Sequence, residues 1–185
     1  MNLYTKWASR EYPLTVRILT TILIGGGLVV VLIPWLLLGP LPHLDARLGL
    51  PTLSFGVINY LVGGLLIIIG ANFAFWSIGQ QFFKAKGTPL PVMPTQKLLI
   101  SGVFTTCRNP MTFGTFCLYF GLSILIGSIS ALVCSTLVSV LLILYLKLVE
   151  EKELVLRFGA EYEEYKKNTP FIIPRIPLTR IIKSI

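Results

Sequence analysis

Two short groups of residues carry most of the chemistry this sequence could perform: Arg108-Asn109-Pro110, and the acidic pair Glu150-Glu151. Asparagine followed by proline has the form of a helix N-cap with proline at the first helical position. A helix that begins there offers free backbone N–H groups to an anion or a polar ligand. The same pattern also serves as a plain cap, with Arg108 anchoring the segment at a membrane edge. The acids have two readings as well: they pair with Arg108 or Lys147, or they face a cation. A carboxylate pair suits an ammonium group or a ribose diol, because both present donors to acceptor oxygens. With His43 as the single histidine, histidine-based catalysis is close to excluded. Cys107, Cys117 and Cys134 lack CxxC spacing and neighbouring histidines, so no metal site and no disulfide framework is expected. Cys107 beside Arg108 either has a lowered thiol pKa or simply packs at the membrane edge.

The elements that must position these groups are membrane spans. Of 185 residues, 54% are hydrophobic and only 13% charged, against about 25% charged in an average soluble domain. Residues 14–38 are apolar apart from Arg17 and form the expected first span. Residues 39–51 hold three prolines, Asp45 and Arg47, and read as a short loop. The uncharged stretch 48–83 would be about 54 Å long as one helix, beyond a ~30 Å hydrocarbon core, so the second span is expected over roughly 54–78. Residues 84–108 form a basic loop whose GTPLPVMP segment cannot be helical. The uncharged stretch 109–146 is again too long for one span and divides at Gly127-Ser128-Ile129-Ser130 into a helical hairpin. In EEKELVLRFGAEYEEYKK, residues Leu154, Val155, Phe158, Tyr162 and Tyr165 share one stripe, which predicts an amphipathic helix on the membrane surface.

Four spans place both termini on one side, together with the basic loop. That side then carries fifteen Lys and Arg residues and the opposite side only Arg47, so loop and tail are expected in the cytoplasm. The net charge of +8 is therefore a topology and anionic-lipid signal. Nucleic-acid binding, which would need a basic face interleaved with aromatics, is rejected. The expected fold is an all-α integral membrane protein with about four transmembrane helices, a C-terminal helical hairpin and an amphipathic cytoplasmic tail helix. It forms one membrane domain over 1–185, with two N-terminal spans in 1–83 and a core in 84–175. A prokaryotic plasma membrane is the expected location.

The segments LLISGVF, RNPMTFG and EEKELVLRFGAEYEEYKK, followed by Pro174-Arg175, occur in this order around the hairpin. Together they resemble the integral-membrane methyltransferases that act on isoprenylcysteine carboxyl groups and on phospholipid amines. The resemblance covers roughly 87–175. It implies S-adenosylmethionine as cofactor, with Leu98, Leu99, Phe104, Asn109, Pro110, Met111 and Thr112 around it and Glu150 as its binding glutamate. Arg108 and Glu151 are the expected catalytic pair, Arg108 ordering the loop or drawing in an anionic substrate group. The implied acceptor is lipophilic or membrane-partitioned: a phospholipid amine, a prenylcysteine-like carboxylate or a small thiol. Three positions depart from the family pattern. Thr112 and Phe104 replace tyrosines, and Leu146 stands where the carboxyl methyltransferases have a substrate-binding arginine.

Two other classes fit parts of the pattern. NADPH-dependent membrane sterol reductases resemble the C-terminal half, but an adjacent glutamate pair suits a sulfonium better than an anionic dinucleotide. A non-catalytic protein that keeps the fold is the other. Gly25-Gly26-Gly27, Gly63-Gly64, Gly114 and Gly121 are read as close-packing positions within spans. Asn72 is expected to bond between helices, and Trp7, Trp35 and Trp76 to mark interfaces. Gln80 and Gln81 are either interface anchors or cofactor contacts.

Overall fold

A computed structural model describes residues 13–85, Thr88 and 96–175. The GTPLPVMP segment other than Thr88, Trp7 and both chain ends lie outside the described residues. Among those residues every regular element is helical. The chain begins with α1 (Leu14–Thr20), a wide π-helical stretch over Thr21–Leu32, α2 (Ile33–Leu38) and α3 (Pro40–Leu48). Next comes α4 (Val57–Phe83), then a 3-10 turn at Gly102–Thr105 and α5 (Pro110–Ile126). The hairpin partner α6 (Ile129–Tyr145) passes through a π segment (Leu146–Glu150) into α7 (Glu151–Phe158), and α8 (Ala160–Asn168) follows.

Among the described residues, three helical rods are long and apolar enough to cross a membrane: Leu14–Leu48, Val57–Phe83 and Ile129–Phe158. Helix α5 is apolar too but has only 17 residues, about 26 Å of rise. The bundle is turned inside out relative to a soluble one. On α4 the large side chains Leu61, Leu65, Ile68 and Phe75 are exposed, while Asn59, Gly63, Gly70, Ser77 and Gln80 face inward. In lipid no hydrophobic force drives helices together, so small residues and interhelical hydrogen bonds must do so. Gly63 meets Gly121, and Gly70 meets Gly114, across an antiparallel α4–α5 seam where backbones touch. Ser123 Oγ and Ser135 Oγ lie 2.9 Å apart between α5 and α6.

The end of the bundle away from Arg108 is tied by two polar latches. Ser128 Oγ (2.6 Å) and Ser130 N–H (2.9 Å) donate to the buried Asp45 carboxylate. Asn59 Nδ2 donates to the carbonyls of Leu53 and Ile124 at 2.8 and 2.6 Å, and its Oδ1 accepts from Phe55 N–H. The hairpin turn itself is closed by Gly127 and by Ser128, which caps α6 through Ala131 N–H.

Four expectations need correction. Residues 40–48 are helical, not loop, because Pro40 starts the helix and Pro42 falls within its first turn, where no helical N–H bond is lost. The amphipathic tail is not one helix. Its first half continues the hairpin rod as α7, and Gly159, at φ 53°, breaks it before α8. Gly26, Gly27 and Gly64 are not packing positions: around Gly27 and Gly64 there is open space, and Gly26 sees only its own helix. Asn72 likewise bonds within its helix, to Ile68 O, and makes no interhelical bond among the described residues.

Candidate functional site

Where α4, α5 and the hairpin rod end together, the loop before α5 is locked in place by the tail. Gly102 turns the chain at φ 60°, and a Cβ there would run into the Gln80 side chain. Oriented for hydrogen bonding, the buried Gln80 amide donates to Ser101 O and accepts from Trp76 Nε1 (2.7 Å) and Val103 N–H. Gln80 thus fastens the loop to α4. From the other side, Tyr165 OH donates to Phe104 O at 2.6 Å. Residues 170–175 form a strap. Arg108 N–H donates to Pro170 O and Arg175 N–H to Thr106 O, both at 2.9 Å.

Asn109 departs from its expected role. Pro110 is the first residue of α5, but the Asn109 side chain makes no cap; its Nδ2 donates instead to Phe171 O at 2.9 Å. The strap has captured it. Phe171 also carries cations on its ring, with Arg108 at 5.4 Å and Lys147 at 5.1 Å from the centroid, contacts that stabilise a guanidinium or ammonium against an aromatic face.

Behind this loop lies a cavity of about 510 Å³. Leu98, Leu99, Phe104, Arg108, Asn109, Pro110, Met111, Thr112 and Glu150 all line it. Glu151 does not. Its carboxylate is ion-paired with Arg108 on one oxygen and with Lys166 (2.9 Å) on the other. Glu151 is therefore placed to hold Arg108, and the catalytic part expected of it is not supported by its position. Residues that the sequence reading missed complete the walls. Thr115 and Tyr119 come from α5, Val138, Leu142 and Tyr145 from α6, and Leu28, Val29 and Ile33 from the first rod. Their helical spacing was visible, but which face turned inward was not. Gln81 lines the cavity, while Gln80 is structural.

The charges around the cavity are unequally satisfied. Arg108 is paired with Glu151, and Arg157 with Glu153 at 3.2 Å. Glu150 forms no ion pair or hydrogen bond among the described residues, though Glu151 and Glu153 stand near it. Two further buried atoms on lining residues, Gln81 Oε1 and Arg108 Nε, have no hydrogen-bond partner among the described residues. Of the acids lining the cavity, Glu153 is ion-paired with Arg157, which leaves Glu150 as the acceptor there without a counter-charge among the described residues.

Burial and the nearby Glu151 carboxylate push the Tyr162 phenol up to about 12, so it is a neutral donor or acceptor throughout the physiological range. It lies 3.4 Å from Arg108 Nη1. Burial also pushes the Cys107 thiol up to about 11, and the side chain is fully enclosed. Proximity to Arg108 does not activate it. In the folded protein at pH 8, Cys107 should react with a maleimide at least about 100-fold more slowly than in the denatured chain, since the thiolate is the reactive form. Peptide mass spectrometry after timed labelling reads this directly; rapid native labelling of Cys107 would show that the loop is open.

The family described as phospholipid methyltransferase matches residues 58–161, more than half of the chain. That stretch runs from the start of α4 through α5 and α6 to the start of α8. No curated relative and no solved structure matches the chain.

Proposed function

The chain belongs to the phospholipid methyltransferase family, and on that premise we propose that it methylates a lipid amine from S-adenosylmethionine at the cytoplasmic membrane interface. The observation that carries this reading is the unpaired carboxylate of Glu150 in an apolar cavity whose arginines already have partners. The cofactor supplies an electrophilic sulfonium methyl when bound. Glu150 would face its positive charge or ribose diol, and Leu98, Leu99 and Phe104 its adenine. Met111 and Thr112, in the first turn of α5, would close the cavity beside it.

The residues divide the remaining work. The loop fastened by Gln80, Tyr165 and the strap would shield the bound methyl from water, which matters because a displacement at carbon needs alignment and dryness more than acid–base help. Glu151 and Phe171 hold Arg108 in one place. A carboxylate acceptor would need a cation to position it, but both cavity arginines are ion-paired, and Leu146 is apolar where the carboxyl methyltransferases have arginine. An amine acceptor meets the opposite field. Glu150 attracts its ammonium form and can take the proton that must leave before nitrogen attacks.

Calorimetric titration of the detergent-solubilised chain with S-adenosylhomocysteine and, separately, NADPH tests the reading. Saturable binding of the first alone is expected. Binding of NADPH alone would move the protein to the reductase class, and binding of neither would leave the fold without the chemistry.

A further inference from the structure

The cavity is long as well as charged. At one end stand Glu150 and Asn109; at the other, Val138 and Tyr119. Glu150 and Val138 are twelve residues apart on one helical rod, about 18 Å at 1.5 Å per residue. Asn109 and Tyr119 are ten apart, about 15 Å. One leaflet of a ~30 Å hydrocarbon core is of the same depth.

Tyr119 lines the cavity at this end and has packed protein behind it. Its ring is 2% exposed and belongs to a packed cluster with the fully buried Leu37 and Ala131, sealed by Leu122, Ile126 and Cys134. Val29, Ile33 and Val138 belong to both the cavity wall and this cluster. The phenol is fixed in turn, because Tyr119 OH donates to Val29 O at 2.9 Å. That carbonyl lies in the wide π-helical stretch Thr21–Leu32, so the bond ties the first rod to α5 at the level where the cavity ends.

We propose that Tyr119, held against Val29, is the floor of a pocket for a single apolar chain and sets the longest chain the acceptor can carry. The inference rests on reading the cavity as the acceptor site and adds a selectivity to it. A chain that fits brings its head to Glu150; a longer one meets the Tyr119 ring and leaves its head short of the carboxylate. Tyr119 touches no reacting atom in this scheme. It is a specificity residue.

The test uses native mass spectrometry of the full chain released from micelles in an equimolar mixture of dodecylamine, tetradecylamine, hexadecylamine and octadecylamine. The wild type should bind the amines up to a sharp length limit. Tyr119→Ala should move that limit at least one member toward longer chains. Val138→Phe, which narrows the same end from α6, should move it toward shorter ones, and it keeps the proposal testable if the alanine variant does not fold. Tyr119→Phe keeps the ring and should leave the limit in place. Absence of a limit, or one unmoved in both Tyr119→Ala and Val138→Phe, overturns the proposal, since amines coating the apolar exterior would behave that way. S-adenosylhomocysteine binding by the same samples separates the two readings. A limit that moves without cofactor binding sinks methyl transfer and keeps the floor, and cofactor binding without a limit does the reverse.

Discussion

Glu150→Gln should weaken cofactor binding sharply while leaving the protein folded. The substitution keeps the size of the side chain and removes its charge. A charge-assisted contact is worth about 1.5–3 kcal/mol, so affinity for S-adenosylhomocysteine should fall about 10- to 150-fold. Methyl transfer should fall further, because the same carboxylate is the one available to receive the amine proton. Stability should not fall, because Glu150 has no partner to lose among the described residues and stands near two other acids, Glu151 and Glu153. Its charge is held against its surroundings, and neutralising it should leave the apparent Tm equal or higher. Glu151→Gln is the contrasting case. It breaks the pairs with Arg108 and Lys166, leaves a largely buried guanidinium without its counter-charge, and should lower the Tm and loosen the loop. Calorimetry with thermal unfolding of both variants distinguishes the roles. Unchanged cofactor affinity in Glu150→Gln would show that the ligand lies elsewhere in the cavity.

Much of this site was legible in the sequence because it is built from contiguous segments. Leu98, Leu99, Phe104 and residues 108–112 travel together on one loop and one helix start, so a helical hairpin of any reasonable geometry returns them to Glu150. What was not legible depends on distant pairings between ordinary residues. Tyr119 bonds a backbone carbonyl ninety positions away, and no property of Val29 advertises that. Asp45 looked like a loop acid, yet it receives two hydrogen bonds from the hairpin turn. Asn109 was read as a cap from local chemistry that holds in isolation; the strap carbonyl of Phe171 competes for its amide and wins. The prolines after Gly39 were taken as helix breakers, whereas at the start of a helix they cost nothing. Helical periodicity ran unbroken from Leu154 to Tyr165, and only the backbone turn at Gly159 divides it.

The α4–α5 seam should be intolerant of a single methyl group at positions where a neighbouring glycine would welcome it. A Cβ on Gly70 would sit 2.6 Å from Gly114 O and 2.8 Å from Leu118 N, both backbone atoms that cannot rotate away. A Cβ on Gly114 would lie 2.7 Å from Gly70 O. The helices would have to separate, and overpacking of this kind costs about 1–3 kcal/mol, more than the roughly 1 kcal/mol that alanine gains over glycine in a helix interior. Gly70→Ala should therefore lower the Tm, and Gly70→Leu should prevent recovery of monodisperse protein. On the same helix, Gly64 and Gly79 face open space, so Gly64→Ala and Gly79→Ala should be neutral or stabilising by up to about 1 kcal/mol. The opposed signs make the comparison decisive, because propensity alone predicts four equal gains for alanine at Gly63, Gly64, Gly70 and Gly79. The consequence reaches the chemistry through geometry. Gly114 lies one turn beyond Pro110, and Gly70 shares a rod with Gln80 and Gln81. Forcing the rods apart at that level displaces Met111 and Thr112 from the cavity, so cofactor affinity should fall in Gly70→Ala and hold in Gly64→Ala.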